Sequence, residues 1–177
     1  MVLAVVIAGG RLLVSRSQPG PPEVVAPGEY QVDRVVDGDT LLLTNRARIR
    51  LLGIDCPEIA RAPDVPSATG STAAVQSAQL AQQASEFTSR LIADGHVRLS
   101  FDRERIDPYD RFLAYVWVGD RLLNEELLRA GLARRYRKAT LSYAMDRRYS
   151  AAEQAARDAG LGLWAFPSAG KSPTPDR

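Results

Sequence analysis

Three carboxylates are the first residues of this sequence whose types and positions favour chemistry on a phosphate. Asp39 closes the turn motif Asp-Gly-Asp-Thr, and Asp55 and Glu58 belong to the motif Asp-Cys-Pro-Glu at the exit of a strand-like segment. Clustered carboxylates repel one another unless a cation or protons relieve them. A hard divalent cation takes about six to eight oxygen ligands. Two or three protein ligands would therefore leave room for water and a substrate phosphate.

Each of these motifs, taken alone, is also typical of an ordinary hairpin turn or a proline-containing strand exit. The chain has a single cysteine, Cys56, and a single histidine, His96. These numbers exclude an intramolecular disulfide, a cysteine-based zinc site and a histidine-rich metal site. A catalytic metal must therefore be held mainly by oxygen, which favours Ca²⁺ or Mg²⁺. His96 itself is predicted to be an exposed turn residue.

Two arginines supply the positive charge that phosphate chemistry needs. Cleavage of a phosphodiester builds negative charge on the phosphoryl oxygens, and positioned arginines such as Arg50 and Arg111 stabilise it together with a metal. Arg50 lies five residues before Asp55, which puts the two side chains on opposite faces of an ideal strand. A bend or bulge must intervene if both face one site. The alternative for both arginines is a surface ion pair with a nearby aspartate.

The elements that position these residues are predicted from alternating apolar residues and turn signals. Five strands are predicted at 30–36, 41–44, 48–55, 96–101 and 111–118. A long helix with Leu80, Ala84, Phe87 and Leu91 on one face ends at Asp94-Gly95. Two more helices are predicted, one capped by Asn124 and ending at Ala130, and one at about 146–159. The fold class is α+β, mainly β: a five-stranded OB-fold barrel with about three helices, the long helix plugging one end.

The 177 residues are enough for one domain. Residues 1–29 are predicted to be an apolar segment followed by a Pro/Gly-rich linker, 30–167 the folded domain, and 168–177 a disordered tail. The apolar run at 1–14 is shorter than the roughly 20 residues of a spanning helix. It resembles the apolar part of a signal peptide without a basic segment ahead of it. Export signal, membrane tether and stray extension remain the three alternatives.

Four motifs in this order resemble the staphylococcal nuclease (thermonuclease-like) family, from about Tyr30 to Trp164: VVDGDTLLL, RIRLLGIDCPE, DPYDRFLAYVWV and LNEELLRAGLA. The resemblance implies a calcium-dependent nuclease that hydrolyses phosphodiester bonds of DNA and RNA, preferably single-stranded, and leaves 3′-phosphate ends. It also implies a monomer with no cofactor other than the metal. The localisation expected is secreted or membrane-anchored, or cytoplasmic if the N-terminal segment is not a signal.

The resemblance implies roles for residues around the metal. Asp39 and Asp55 match the calcium-binding carboxylates, and Cys56 matches a position that ligates through its backbone carbonyl. Glu58 matches the general base that activates the attacking water. Asp37 matches an acid that lies near the metal without binding it.

Other matches concern the substrate. Arg50 and Arg111 match the arginines that bind the phosphate and its transition state, and Tyr109 matches a tyrosine at the terminal phosphate. The sequence departs from the family in three places: the loop 59–72 is longer, Pro108 replaces a basic residue, and the tyrosine used for base stacking is displaced. Tyr136 is predicted to substitute for it, since stacking tolerates any base.

Three further expectations remain. The basic run at 134–138 either follows the nucleic-acid backbone or forms a solvated helix end. Trp117 and Trp164 are predicted to pack in the core. The alternative to an enzyme is a non-catalytic OB-fold module that binds single-stranded nucleic acid or a protein partner. The joint presence of both metal acids, the base and both arginines favours the enzyme.

Overall fold

The computed structural model describes residues 5–8, 11–14, 24–58 and 72–165. The strands are β1 (Val5–Ala8), β2 (Arg11–Val14), β3 (Gly28–Asp37), β4 (Thr40–Leu43), β5 (Arg48–Leu51), β6 (Ile54–Asp55), β7 (His96–Ser100), β8 (Phe112–Val118), β9 (Arg121–Leu122) and β10 (Arg134–Arg135). The helices are α1 (Thr72–Leu91), α2 (Leu123–Arg129), α3 (Tyr143–Asp158) and a short 3₁₀ helix (Gly162–Trp164).

Five strands form a closed barrel in the order β5-β4-β3-β7-β8, and a parallel pairing of β5 with β8 closes it. The other barrel pairings are antiparallel. Strand β3 serves both neighbours: residues 28–31 pair with β7, and 32–37 pair with β4 across two register shifts. Such irregularities bend a strand, as barrel closure requires. The predicted five-stranded OB-like α+β fold with three helices is confirmed.

Helix α1 packs on the barrel through the predicted apolar face. Leu80 and Ala84 are buried, and Phe87 and Leu91 pack against the core while partly exposed. A Cβ on Gly38 would lie 2.6 Å from the Cβ of Ala84, so only glycine allows this close approach of the β3–β4 turn to the helix. The side-chain hydroxyl of Thr88 donates a 2.8 Å hydrogen bond to the Gly38 carbonyl. The helix therefore holds the turn that precedes Asp39.

The prediction that Asn124 caps a helix is wrong. Helix α2 begins at Leu123, the residue before Asn124, and its N-cap, Leu122, makes no side-chain hydrogen bond. Asn124 is fully buried; its side chain accepts from the Val116 amide and donates to the carbonyls of Leu52 and Ala114. These partners lie far away in sequence. Asn124 therefore joins the helix to β8 and to the end of β5.

Helix α3 begins three residues before its predicted start, because Ser142 caps it by accepting from the Met145 amide. The two tryptophans are only partly buried. Trp117 packs against the core, and its indole N–H donates to the Ser100 hydroxyl at 3.0 Å. Trp164 lies instead against two guanidinium groups, those of Arg134 and Arg157, at 4.9 and 4.0 Å from its ring centre.

At the N-terminal side, β1 and β2 form an antiparallel hairpin. Among the described residues, no helix is both long and apolar enough to cross a membrane. Val25 is buried, and β3 starts two residues before the predicted domain boundary at 30. Of the predicted loop at 59–72, residues 59–71 lie outside the described residues and Thr72 begins α1. The predicted tail at 168–177 also lies outside them, and the domain limits stay a prediction.

Candidate active site

Arg50 occupies the point of the barrel where three strands meet. It lies on β5, opposite Thr40 of β4 on one side and Leu113 of β8 on the other. Its guanidinium pairs with two carboxylates: that of Asp39, the residue directly before β4, and that of Asp55 on β6, the latter at 2.6 Å. These three residues are named here the ion-pair cluster. The structure thus places Arg50 with two of the three predicted acids, and Glu58 lies outside this cluster.

A reverse turn between β5 and β6 makes this meeting possible. Leu52 and Gly53 form the turn, and Gly53 has φ +79°, a conformation that favours glycine. A Cβ at Gly53 would also lie 2.9 Å from a methyl carbon of Leu141. The chain reverses after Leu51, so Asp55 comes back beside Arg50, which resolves the unfavourable five-residue spacing. The required bend is a tight turn rather than a strand bulge.

Asp39 is held from several directions. Its side chain is 2% exposed, and one oxygen accepts a 2.7 Å hydrogen bond from the Cys56 amide. The Thr40 hydroxyl donates to the other oxygen at 3.2 Å. Asp37 accepts from the Asp39 amide at 3.4 Å, which places it beside this residue as predicted. The carboxylate of Asp39 is therefore fixed before any ligand arrives.

Cys56 packs against the β3–β4 turn, where a Cβ on Gly38 would lie 3.0 Å from the Cys56 Sγ. Burial raises the pKa of its thiol to about 12, against a smaller lowering by the Arg50 charge. A thiol with such a pKa stays protonated near neutral pH and is neither a nucleophile nor a thiolate ligand. Only the backbone of Cys56 is thus suited to a role at the site.

The donor set near the ion-pair cluster is made of hard oxygen atoms. Two carboxylates and the backbone carbonyls beside them suit a divalent cation such as Ca²⁺ or Mg²⁺ and do not suit a soft metal. In the described part of the chain, no group of three or more His, Cys, Asp and Glu side chains is arranged to hold a metal. The residues present therefore fit a cation that takes its remaining ligands from water and substrate.

Arg111 is positioned by an aspartate that the sequence prediction missed. Asp107 accepts from the Arg111 side-chain Nε at 2.7 Å, from the Arg111 amide at 3.1 Å and from the Tyr109 amide at 2.9 Å. Burial alone would raise the pKa of Asp107, but these hydrogen bonds outweigh it and leave the pKa below its usual value. Asp107 thus stays ionised and fixes the loop that carries both residues.

A pocket of about 430 Å³ collects most of the predicted site residues. Its lining includes Arg50, Asp55, Glu58, Tyr109, Arg111 and Tyr136. Three predicted site residues, Asp37, Asp39 and Cys56, are not part of the lining. Asp39 pairs with Arg50, and Asp37 and Cys56 are each hydrogen-bonded to Asp39. The pocket therefore joins the two arginines and the proposed base in one space.

Three of the lining side chains form what is named here the exposed rim: Glu58, Tyr109 and Tyr136. Glu58 is exposed and makes no hydrogen bond or ion pair to any described residue. Tyr109 is 73% exposed and Tyr136 is 49% exposed. The guanidinium of Arg111 lies 5.4 Å from the centre of the Tyr109 ring. The rim is thus open to a ligand.

The pairing of β6 with β10 was also missed. Arg134 lies opposite Asp55, and the Tyr136 amide donates to the Gly53 carbonyl at 2.9 Å. Two-residue strands carry no periodic signal in a sequence, so only the turn at Gly53 hinted at this neighbourhood. The pairing brings Tyr136 to the pocket.

Comparison with known proteins gives consistent matches. A family model described as "Staphylococcal nuclease homologue" matches residues 48–166. The thermonuclease of Staphylococcus intermedius is 42% identical over 108 residues, which cover 59% of this chain and 58% of that protein. The thermonuclease of Staphylococcus hyicus is 35% identical over 140 residues, covering 76% of this chain and 75% of that protein. Endonuclease YncB of Bacillus subtilis is 33% identical over 107 residues, covering 58% of this chain and 46% of that protein.

Proposed function

This chain belongs to the staphylococcal nuclease family, a family of nuclease hydrolases, and on that premise we propose that it is a calcium-dependent nuclease. It hydrolyses phosphodiester bonds of DNA and RNA and leaves 3′-phosphate ends. The observation that carries the proposal is the pocket in which Arg50 and Arg111 line the same space as Glu58. Two cations and a carboxylate around one cavity suit a phosphate under attack by water.

The two arginines act on the phosphoryl oxygens. Arg50 is only 14% exposed and Arg111 22%, so their charges are partly shielded from water and act more strongly than surface charges. Asp39 and Asp55 fix the first guanidinium, and Asp107 fixes the second. Asp107 thus holds the Arg111 donors ready for the charge that develops on the equatorial oxygens. The Arg50 guanidinium would be released toward the same oxygens when Asp39 and Asp55 bind calcium.

Glu58 takes the proton of the attacking water in this proposal, and the attack proceeds in line with departure of the 5′ oxygen. A carboxylate is a weak base, so positioning and electrostatics must provide most of the acceleration. When bound by Asp39, Asp55 and the Cys56 carbonyl, calcium would polarise a phosphoryl oxygen. The exposed position of Glu58 supports the role, because water must reach it.

The two tyrosines of the exposed rim contact the nucleotide. Tyr109 lies beside Arg111 and its hydroxyl is suited to a terminal phosphate. Tyr136 offers an open ring on which a base stacks, and such a base must be unpaired. Both contacts support a preference for single strands. One chain provides all the proposed site residues, so we propose that it acts as a monomer.

For localisation we propose export or membrane attachment through residues 1–14. The proposal is supported by the apolar composition of that run and by the Pro/Gly-rich residues that follow it. Cell fractionation with mass spectrometry of the mature N-terminus tests it. An intact N-terminus on protein found only in the cytoplasm would contradict it.

The activity test uses the full chain and heat-denatured DNA, with Ca²⁺ in one reaction and EGTA in another. We expect fragmentation with Ca²⁺ and none with EGTA. A polymerase should extend the 3′ ends of the fragments only after phosphatase treatment removes the 3′-phosphate, and a kinase should phosphorylate their 5′-hydroxyl ends without that treatment. Intact DNA that is bound equally well in both reactions would show a binding module instead, and equal cleavage with Mg²⁺ alone would contradict the choice of calcium.

A further inference from the structure

The segment that brings Tyr136 to the pocket also carries three cations: Arg134, Arg137 and Lys138. They are named here the basic segment. Tyr136 and, one residue beyond Lys138, Ala139 both line the pocket. Arg137 and Lys138 therefore lie in sequence between two residues that touch the cleavage space. A polymer that leaves the pocket past Tyr136 meets them next.

Backbone hydrogen bonds hold the basic segment in place. Residue 134 pairs with Asp55, the Tyr136 amide donates to the Gly53 carbonyl, and the Ala139 amide donates to the Tyr136 carbonyl at 3.1 Å. The segment is thus anchored to the β5–β6 turn and to β6, which carries Asp55 of the ion-pair cluster. Its charges have a fixed position relative to the pocket, unlike those of an untethered basic tail.

The charges of the basic segment are not neutralised by carboxylates. Within the described residues, no Asp or Glu forms an ion pair with any of its three members, and all three are exposed. Arg134 lies against the face of Trp164. Most other arginines in the described part of the chain do have carboxylate partners: Arg34, Arg50, Arg90, Arg98, Arg111, Arg121, Arg129, Arg135, Arg148 and Arg157. Arg48, Arg103, Arg105 and Arg147 form no ion pair with a described carboxylate either, but none of these four lines the pocket. The three cations beside the pocket are therefore available to an external anion.

The other loop that lines the pocket carries charges of both signs. Between β7 and β8 it contributes Glu104, Asp107 and Arg111 to the lining, and Asp107 pairs with Arg111. Its exposed charged residues are the acids Glu104 and Asp110 and the arginines Arg103 and Arg105. A chain of phosphates is repelled by exposed carboxylates and attracted by exposed cations. The electrostatics of the pocket thus favour one exit for a nucleic acid over the other.

We propose that the nucleic-acid strand extending from the cleavage pocket runs along the basic segment, where Arg137 and Lys138 contact phosphates beyond the nucleotide at Tyr136. The inference rests on the proposed function and deepens it: the substrate is an extended single strand rather than a dinucleotide. Sequence-independent contacts of this kind make affinity fall steeply with salt. The salt dependence is therefore the property to measure.

The test compares how tightly the wild type and a charge-removal variant bind a fluorescent oligothymidylate. The oligothymidylate has about 12 nucleotides, close to the length that one OB fold covers. The full chain is kept in EGTA so that the strand stays intact, and anisotropy is recorded as NaCl rises. In the variant Arg137→Gln/Lys138→Gln we expect the slope of log K against log salt to be smaller by about 1.4, which is about 0.7 for each lost phosphate contact. Affinity at low salt should fall about tenfold.

The matched control is Arg34→Gln/Arg48→Gln. It removes the same two charges from exposed positions, and neither residue lines the pocket. We expect its slope to stay within about 0.3 of the wild type. Arg134 is left unchanged because its replacement would remove the contact with Trp164 and affect folding.

Three outcomes would overturn the inference: an unchanged slope in the test variant, an equal reduction in the control, or an equal reduction with a duplex of the same length. Thermal melting of both variants shows whether they fold. The result is independent of the cleavage test. If the wild type cleaves DNA but the slope is unchanged in the test variant, the proposed function stands and the role of the basic segment is rejected. If the slope changes but the wild type does not cleave, the role of the basic segment in binding stands and the proposed function is rejected.

Discussion

The ion-pair cluster and the exposed rim lie at the same pocket but are built in different ways. Asp39, in the turn before β4, and Arg50, on β5, are almost shielded from solvent, and only Asp55 of the cluster is exposed. Glu58, Tyr109 and Tyr136 are exposed and make few contacts with the described part of the chain. In the proposed function the cluster serves both the fold and the phosphate, whereas the rim serves chemistry and binding and contributes little to stability. Substitutions in the two regions should therefore separate activity from stability.

The largest expected effect is on catalysis, in the rim. Glu58→Gln keeps the size of the side chain and removes the base, so we expect kcat to fall about 10³-fold. The free energy of unfolding should change by less than about 0.5 kcal/mol, since the residue has no described partner. Steady-state kinetics on denatured DNA with Ca²⁺ and urea unfolding measure the two quantities.

Glu104→Gln is the matched control, because Glu104 is also an exposed glutamate that lines the pocket. We expect its kcat to stay within about threefold of the wild type. If Glu104→Gln loses activity and Glu58→Gln does not, the base has been assigned to the wrong carboxylate.

In the ion-pair cluster the expected effect is on both stability and activity. Asp39→Ala leaves the Cys56 amide without its acceptor and removes one of two partners of a nearly buried guanidinium. We expect a loss of about 3 kcal/mol in the free energy of unfolding. Chemical denaturation measures it.

Asp33→Ala is the comparison for that loss, since Asp33 pairs with Arg34 where both are exposed. Such a surface pair contributes at most about 1 kcal/mol. Similar losses in both variants would show that the cluster does not stabilise the barrel more than an ordinary surface pair.

An intermediate effect is expected at the aspartate that positions Arg111. Asp107→Asn removes the charge that pairs with the guanidinium, so we expect kcat/KM to fall about tenfold. Because the pKa of Asp107 is lowered in the folded state, its ionised form adds stability above its unfolded pKa of about 3.9, and that stability is lost as the pH falls through the folded value. The stability difference between wild type and variant should therefore shrink in acid. A difference that stays constant as the pH falls below the unfolded pKa would contradict this role.

The smallest effect is expected for Tyr109→Ala, also in the rim. Loss of one exposed contact should raise KM about threefold and leave the melting temperature within about 2 °C of the wild type. Tyr143→Ala is the control, since that tyrosine is 78% exposed and does not line the pocket. Equal effects on KM in the two variants would remove Tyr109 from the site.

The barrel strands and the long helix could be predicted because their signals are local. Alternating apolar residues and the Asp-Gly turn mark β3 and β4, and the face with Leu80 and Ala84 marks α1. The role of Asp107 also had a local signal, an aspartate before proline with an arginine four residues later, which was overlooked. Resemblance to a family supplied the roles of Arg50 and Arg111, which residue type alone left open.

What could not be predicted depends on contacts distant in sequence. Asparagine is a residue type that often caps helices, but the hydrogen bonds of Asn124 to Val116, Leu52 and Ala114 place it inside the helix. The β5–β6 turn depends on Gly53, whose space is limited by Leu141. No periodicity within a short window reports such neighbours.

The most direct test measures equilibrium binding of Ca²⁺ to the full chain by calorimetry. A nucleotide that the chain does not hydrolyse is present to complete the site. We expect a single Ca²⁺ site that is lost in Asp39→Asn and kept in Glu58→Gln, because we propose that the ion-pair cluster holds the metal and that Glu58 of the rim is the base. Unchanged binding in Asp39→Asn, or no binding by the wild type, would contradict the assignment of this cluster as the metal and phosphate centre.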